Sequence, residues 1–237
     1  MLAFYTAKGG SGCSVVASAA AVLSSRLGPT LLVDLGGDLP AVFGLAESGN
    51  RSAAAGNRPP DLGSSDLGLA DWLAAESPMP DSLRRIERSI SDTLSLLSLG
   101  VGVFDPRPDQ SQLLARLLRA DGRRIVLDVG RVVGHGNRQR HAAGRVAMLD
   151  ASDRTVLVTR ACYLALRAAH RTLPPDQVVL VSEPGRALSA NDVAAAIGSP
   201  VAAVLRWDPA VARAVDAGMF RDRQPRSLRD LAEVVGR

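Results

Sequence analysis

Lysine is almost missing from this chain. Lysine and arginine together number 28, and Lys8 is the only lysine among them. Aromatic residues are scarce at 3%, which excludes a core built on stacked rings. The interior must be Val, Leu and Ala, a composition that suits a parallel sheet covered by helices on both faces. The two cysteines, Cys13 and Cys162, stand far apart, which excludes a disulfide framework and a zinc pattern and suits a reducing compartment. The three histidines, His135, His141 and His170, share no spacing with cysteines or carboxylates, so no metal cluster is expected of them. No uninterrupted apolar run approaches the roughly 20 residues of a membrane span. Residues Met1 to Tyr5 lack the basic stretch of a signal peptide. A cytoplasmic protein is expected.

What is present is a hydrophobic fraction of 46% in 237 residues, enough for a sizeable core. The formal charge is +4. That excess permits contact with nucleic acid or anionic lipid without demanding it, and a solvated arginine-rich surface is the plainer reading. Glu47–Asp66 is rich in Gly, Ser, Pro and Asn, and a flexible surface loop is expected there.

Strand and helix patterns alternate. Strands are expected at Leu2–Thr6, Leu31–Val33, Leu94–Leu99, Ile125–Leu127, Thr155–Thr159, Val178–Val181 and Val201–Leu205. Helices are expected at Ser14–Leu27, Leu67–Glu76, Asp81–Ser89, Gln110–Ala120, Ala161–Arg171, Ser189–Ile197, Pro209–Ala217 and Ser227–Val235. Arg131–Ala147 reads as either loop or helix. The alternation argues for an α/β fold, a doubly wound, mostly parallel sheet between two helical layers, forming one domain over residues 1–237. Trp72 and Trp207 are expected at helix and strand edges, and Cys162 in the core.

The chemistry concentrates at Lys8-Gly9-Gly10-Ser11-Gly12-Cys13-Ser14, between the first strand and the first helix. Glycines let backbone N–H groups turn inward around phosphate oxygens, and the helix adds its positive dipole end. This is an anion cradle. Two further strands end in acids, Leu32-Val33-Asp34 and Ile125-Val126-Leu127-Asp128.

These segments resemble the ParA/MinD family of P-loop ATPases, whose loop reads Lys-Gly-Gly-x-Gly-Lys-Ser/Thr. The resemblance runs over nearly the whole chain, through Leu157-Val158-Thr159, Pro200-Val201 and Asp208-Pro209-Ala210-Val211. It implies a P-loop fold, ATP and magnesium as ligands, and a homodimer. Lys8 matches the signature lysine, implied to reach phosphates held by a partner subunit. Ser14 matches the magnesium-binding hydroxyl and Asp128 the magnesium-binding acid of the Walker B strand. The lone lysine falls on the signature position of a chain that otherwise uses arginine, which points to a role for its compact ammonium.

Two family groups are replaced. Cys13 stands where the second loop lysine contacts the β/γ-phosphates, and Gly36 where an acid is implied to orient the attacking water. Asp34 and Asp38 are then the candidate catalytic acids, although the spacing of Asp38 is wrong for that acid's role. The adenine-reading Asn is replaced by Ser182 or Glu183. ATP binding is expected to be weak or absent, and hydrolysis slow.

Among its branches the chain looks closest to the septum-site-determining and CpaE/TadZ-like proteins. That implies a positioning role with partners in division or pilus and secretion machinery, and recruitment to a pole, septum or membrane surface. The alternatives are a slow dimeric partition ATPase, and a nonspecific DNA binder using Arg138, Arg140, Arg145, Arg221, Arg223 and Arg226. Two local expectations complete the reading. Cys13 either fills space or, at a helix N-terminus, carries a thiol of lowered pKa. The terminal segment from Arg226, with Leu228, Leu231 and Val235 on one face, is expected to dock on the domain, contact with a membrane being peripheral at most.

Overall fold

The computed structural model describes residues 1–45, 67–132, 139–222 and 224–236. The loop expected at 47–66 lies outside them, as do Arg138, Arg223 and His135. In chain order the elements are β1 (Leu2–Thr6), α1 (Cys13–Ser25), β2 (Thr30–Asp34), α2 (Leu39–Val42), α3 (Leu69–Ala74), α4 (Pro80–Arg85), β3 (Glu87–Ser91), β4 (Leu94–Leu97) and α5 (Pro108–Ala120). There follow β5 (Arg124–Arg131), α6 (Gln139–Asp150), β6 (Arg154–Arg160), α7 (Tyr163–Ala169), β7 (Gln177–Ser182), α8 (Ala190–Ile197), β8 (Val201–Arg206) and α9 (Pro209–Asp216). A 3-10 turn (Arg226–Leu231) then leads into α10 (Ala232–Val235).

The described strands form one eight-stranded sheet in the order β3-β4-β2-β5-β1-β6-β7-β8. Every pairing is parallel except β3 with β4. The pleat sends successive residues to opposite faces, and two cores result. Leu2, Phe4, Leu32, Val126 and Val156 pack beneath α1, where Val16, Ala17, Ala20 and Ala21 meet them. Ala3, Tyr5, Leu31, Val33, Ile125 and Leu127 pack on the other face against Leu69, Leu114, Leu118 and Met148. The alanines of α1 let the helix lie close to the strands. Tyr5 is fully buried, and its hydroxyl donates to the carbonyl of Leu173 at 2.5 Å.

Three expectations need correction. Asp81–Ser89 is not one helix: the chain leaves α4 at Arg85, and Glu87–Ser91 becomes an antiparallel edge strand. Pairing with β4 decides this, together with Arg123, which donates to both oxygens of Glu87 at 2.7 Å. Arg131–Ala147 divides, its start closing β5 and its end lying within α6. Cys162 is half-buried at the cap of α7 rather than in the core. Trp72 is buried, its indole N–H donating to the Met79 carbonyl at 2.9 Å, whereas Trp207 is half-exposed beyond β8.

The terminal segment docks, as expected, in place of a single regular helix. Leu228, Leu231, Val234 and Val235 are buried in the core beneath α1. Among the described residues no helix is long and apolar enough to cross a membrane. Leu231 is fully buried, so Leu231→Ala is expected to cost about 2–5 kcal/mol and to lower the unfolding midpoint by about 10 °C. Thermal unfolding followed by circular dichroism checks this; a segment that only rests on the surface would leave the midpoint unchanged.

Candidate functional site

Chain order turns back at the middle of the sheet. From β1 the chain passes to β2 and outward to the β3–β4 edge, then returns through β5, which lies between β2 and β1. Crevices outside the carboxyl ends of strands at such reversals are where open α/β sheets bind ligands. Here the crevice holds the loop after β1 and the acids ending β2 and β5.

Gly10 and Gly12 take φ of 76° and 86°, a region that favours glycine. A Cβ on either would meet nothing within 4 Å, so the concave side of the loop is open. The rim is tied down from within: the Ser11 hydroxyl donates to the Lys8 carbonyl at 2.8 Å, and that of Thr6 donates to the same carbonyl at 3.0 Å. Gly12 caps α1 without a side-chain bond, and the first turn carries no acid. The first N–H groups of α1 therefore face the loop. Lys8 is exposed.

Asp34 and Asp128 occupy paired positions at the ends of β2 and β5, and both are fully buried. Asp34 has both oxygens engaged. Oδ1 accepts from the N–H groups of Gly36 at 2.9 Å and Gly37 at 2.6 Å, and Oδ2 from Leu39 at 3.1 Å. These bonds build the turn into α2, so Asp34 shapes backbone instead of facing a water. Burial, reinforced by the charge of Asp128, pushes its pKa up to about 7 against the lowering effect of those bonds. Burial also raises Asp128, opposed by the Ser14 hydroxyl and the Cys13 thiol. Asp38 is exposed at the cap of α2 and makes no side-chain capping bond.

Cys13 is buried, and its Sγ donates to Asp128 Oδ1 at 3.3 Å. The expectation of an acidified thiol is overturned: burial raises its pKa well above the ordinary value, and the Asp128 charge adds to this. A helix N-terminus lowers a thiol pKa, but here desolvation and a neighbouring carboxylate outweigh it. The space-filling reading of Cys13 holds, with a hydrogen bond added.

The donors fit a magnesium ion. Asp128 Oδ2 is buried with no hydrogen-bond partner, an uncommon state that an ion would resolve, and the Ser14 hydroxyl lies beside the same carboxylate. The open glycine loop fits phosphate. Position 13 of the loop holds a thiol and no cation.

Next to Gly10, Ser11 and Gly12 opens a cleft of about 340 Å³, walled by Val16, Leu205, Trp207, Val211 and Leu228. Its walls are mostly aliphatic, and the size is that of a small-molecule pocket. At its mouth the Arg160 guanidinium lies 5.2 Å from the centre of the Trp207 ring and pairs with Glu183 at 2.6 Å. Sequence reasoning named neither the Arg160–Trp207 stack nor this cleft, because its walls come from α1, β7, β8 and α9. Among the suggested DNA-contacting arginines, Arg145 is turned inward onto backbone carbonyls, and Arg221 is held by the Ile90 carbonyl and Asp222.

The fold is the one that ParA- and MinD-type P-loop ATPases of known structure adopt. No protein-family model matches the sequence, and no curated protein matches it. Solved structures do. A ParA family ATPase from Chlorobium tepidum superposes with a TM-score of 0.69 at 19% identity, covering 98% of this chain and 96% of its own. The septum site-determining protein MinD from Pyrococcus horikoshii, complexed with Mg-ADP, gives 0.69 at 18% identity, with 99% and 93% covered. The MinC:MinD cell division complex of Aquifex aeolicus gives 0.70 at 14%, with 99% and 93% covered.

Two outcomes follow from the buried acid and thiol. Asp34 keeps its proton in the folded chain up to about pH 7, whereas an unfolded aspartate loses it near about 3.9. The folded state therefore binds the extra proton between those values, and stability falls as pH rises through that window, by about 4 kcal/mol at most. Denaturant titrations from pH 4 to 8 check this, and Asp34→Asn flattens the profile. Cys13 is expected to resist thiol reagents in the folded protein: Cys13→Ser leaves the fast phase of labelling by an aromatic disulfide unchanged, and the second thiol of the wild type reacts only in denaturant.

Proposed function

We propose that this chain is a ParA/MinD-like spatial regulator with a degenerate nucleotide site. It acts in positioning the division septum or a pilus or secretion machine by recruiting other proteins. Its whole length forms one P-loop domain. Nucleotide is a structural ligand, held by Gly9, Gly10, Ser11, Gly12, Cys13 and Ser14, with magnesium on Ser14 and Asp128 and the base in the cleft beside Trp207. Bound magnesium would offset phosphate charge. Lys8 is exposed and free to reach across a dimer.

The observation that carries this reading is Cys13. A thiol fills the position from which a loop lysine would contact the terminal phosphates, and it is bonded to the acid that would hold the metal. Losing one group aligned with the transition state commonly costs about 10²–10³ in rate. Here the loop cation and the water-orienting acid are both replaced, the latter by Gly36. Hydrolysis is then expected near background, although such losses do not add simply.

Recruitment and dimerisation are supported by the carboxyl rim of the sheet. Val101 (73% exposed), Val103 (71%) and Tyr163 (71%) leave the ends of β4 and β6, with Leu164 beside Tyr163 and Trp207 after β8. Exposed apolar side chains spaced along the rim that bears Lys8 suit a protein contact. The MinC:MinD complex is an example of protein recruitment on this fold. A second reading, a slow ATPase, is favoured by the unpartnered Oδ2 of Asp128 and the open cradle.

The test is titration calorimetry of wild type and Cys13→Lys with ATP and magnesium, alongside phosphate release. The proposal expects little or no heat from wild type, tighter binding by at least about tenfold in Cys13→Lys, and no wild-type hydrolysis above background. A wild-type ATPase rate that disappears in Lys8→Ala would establish the enzyme instead.

A further inference from the structure

Two buried carboxylates at the ends of adjacent strands repel one another, and in this loop no lysine stands over them. Asp34 has three backbone N–H donors, and Asp128 has the Cys13 thiol and the Gly130 N–H at 3.1 Å. None of these groups carries a positive charge. A cation reaches the same strand ends from the opposite side of the sheet, on α6.

Arg145 spans both strand ends. Its Nη2 donates to the Leu35 carbonyl at 2.7 Å and its Nε to the Val129 carbonyl at 2.9 Å. Leu35 directly follows Asp34, and Val129 directly follows Asp128. One planar guanidinium thus clamps the two residues that follow the two acids, a bridging geometry that a lysine ammonium does not match. The side chain is half-buried and lies 6.0 Å from the centre of the Phe104 ring. Burial disfavours its charge, and the carboxylates of Asp128, Asp34 and Asp105 favour it.

The sequence prepares this placement one residue earlier. A Cβ on Gly144 would lie 2.6 Å from Pro106 Cδ and Cγ and 3.2 Å from Phe104 Cε1. Only glycine lets α6 sit this close to the segment between β4 and α5, and that approach carries Arg145 beneath the strand ends.

We propose that Arg145 is a positioning residue that supplies, from behind the sheet, the positive charge that position 13 does not, and so keeps Asp34 and Asp128 side by side without a lysine there. This goes beyond the proposed function and does not depend on whether ATP binds.

The experiment is a set of thermal-unfolding cycles at pH 8 on the full chain. Arg145→Met is expected to lower the midpoint by about 10 °C, as befits removal of one partner from a buried charge cluster, and Arg145→Lys by less. Two second changes report on charge, not on the carbonyl bonds. Cys13→Lys places an ammonium on the loop side, and Asp34→Asn removes one carboxylate. Each is expected to recover at least half of the loss in the Arg145→Met background, and to raise the midpoint more there than in the parent. Equal shifts in both backgrounds would make Arg145 a staple for backbone only and overturn the proposal. If Arg145→Met yields no folded protein, folded double variants support the charge role, and failure of both overturns it.

Discussion

The structure turns on a pair of aspartates in register at the ends of adjacent parallel strands. Asp34 closes β2, Asp128 closes β5, and both are buried. A sheet reversal places them there: β5 is laid between β1 and β2, so two acids 94 positions apart in a 237-residue chain share one crevice. Everything around them manages charge. Backbone N–H groups fold onto Asp34, a thiol and a hydroxyl reach Asp128, and Arg145 lies behind both.

Positions 13 and 36 belong together physically, because both face this pair. Position 36 holds no side chain, and a Cβ there would lie 3.7 Å from Asp128 Oδ2 and from Asp34 Oδ1. An acid at that point would add a third carboxylate to a pocket with no cation at position 13. With no cation at position 13, such an acid would be costly. Cys13 fills position 13 with a small group that is polar enough to donate and apolar enough to be buried.

The phosphate loop, the aliphatic cleft and the exposed apolar residues Val101, Val103, Tyr163 and Trp207 lie on the carboxyl side of one sheet. A ligand in the cleft would touch the same rim that a partner would cover. The docked terminal segment turns its apolar side inward: Leu231 and Val234 are buried in the core beneath α1.

Some of this was determined by sequence alone. The strand–glycine loop–helix unit is readable because its signals are local: an apolar run through Leu2–Thr6, glycines where φ must be positive, and an alanine-rich helix opening at once. The acids Asp34 and Asp128 are readable because each ends an apolar run. The tertiary structure alone decided the rest. Glu87–Ser91 lacks a strong period and became a strand because β4 offered an edge. The Cys13 thiol, at a helix N-terminus, reads as acidic from its neighbours in sequence, and only burial against a residue 115 positions away reverses that. Arg145 reads as one more surface arginine until Gly144 seats α6 against Phe104 and Pro106. Desolvation and long-range charge depend on which distant segments the fold brings together, and no window of sequence contains that information.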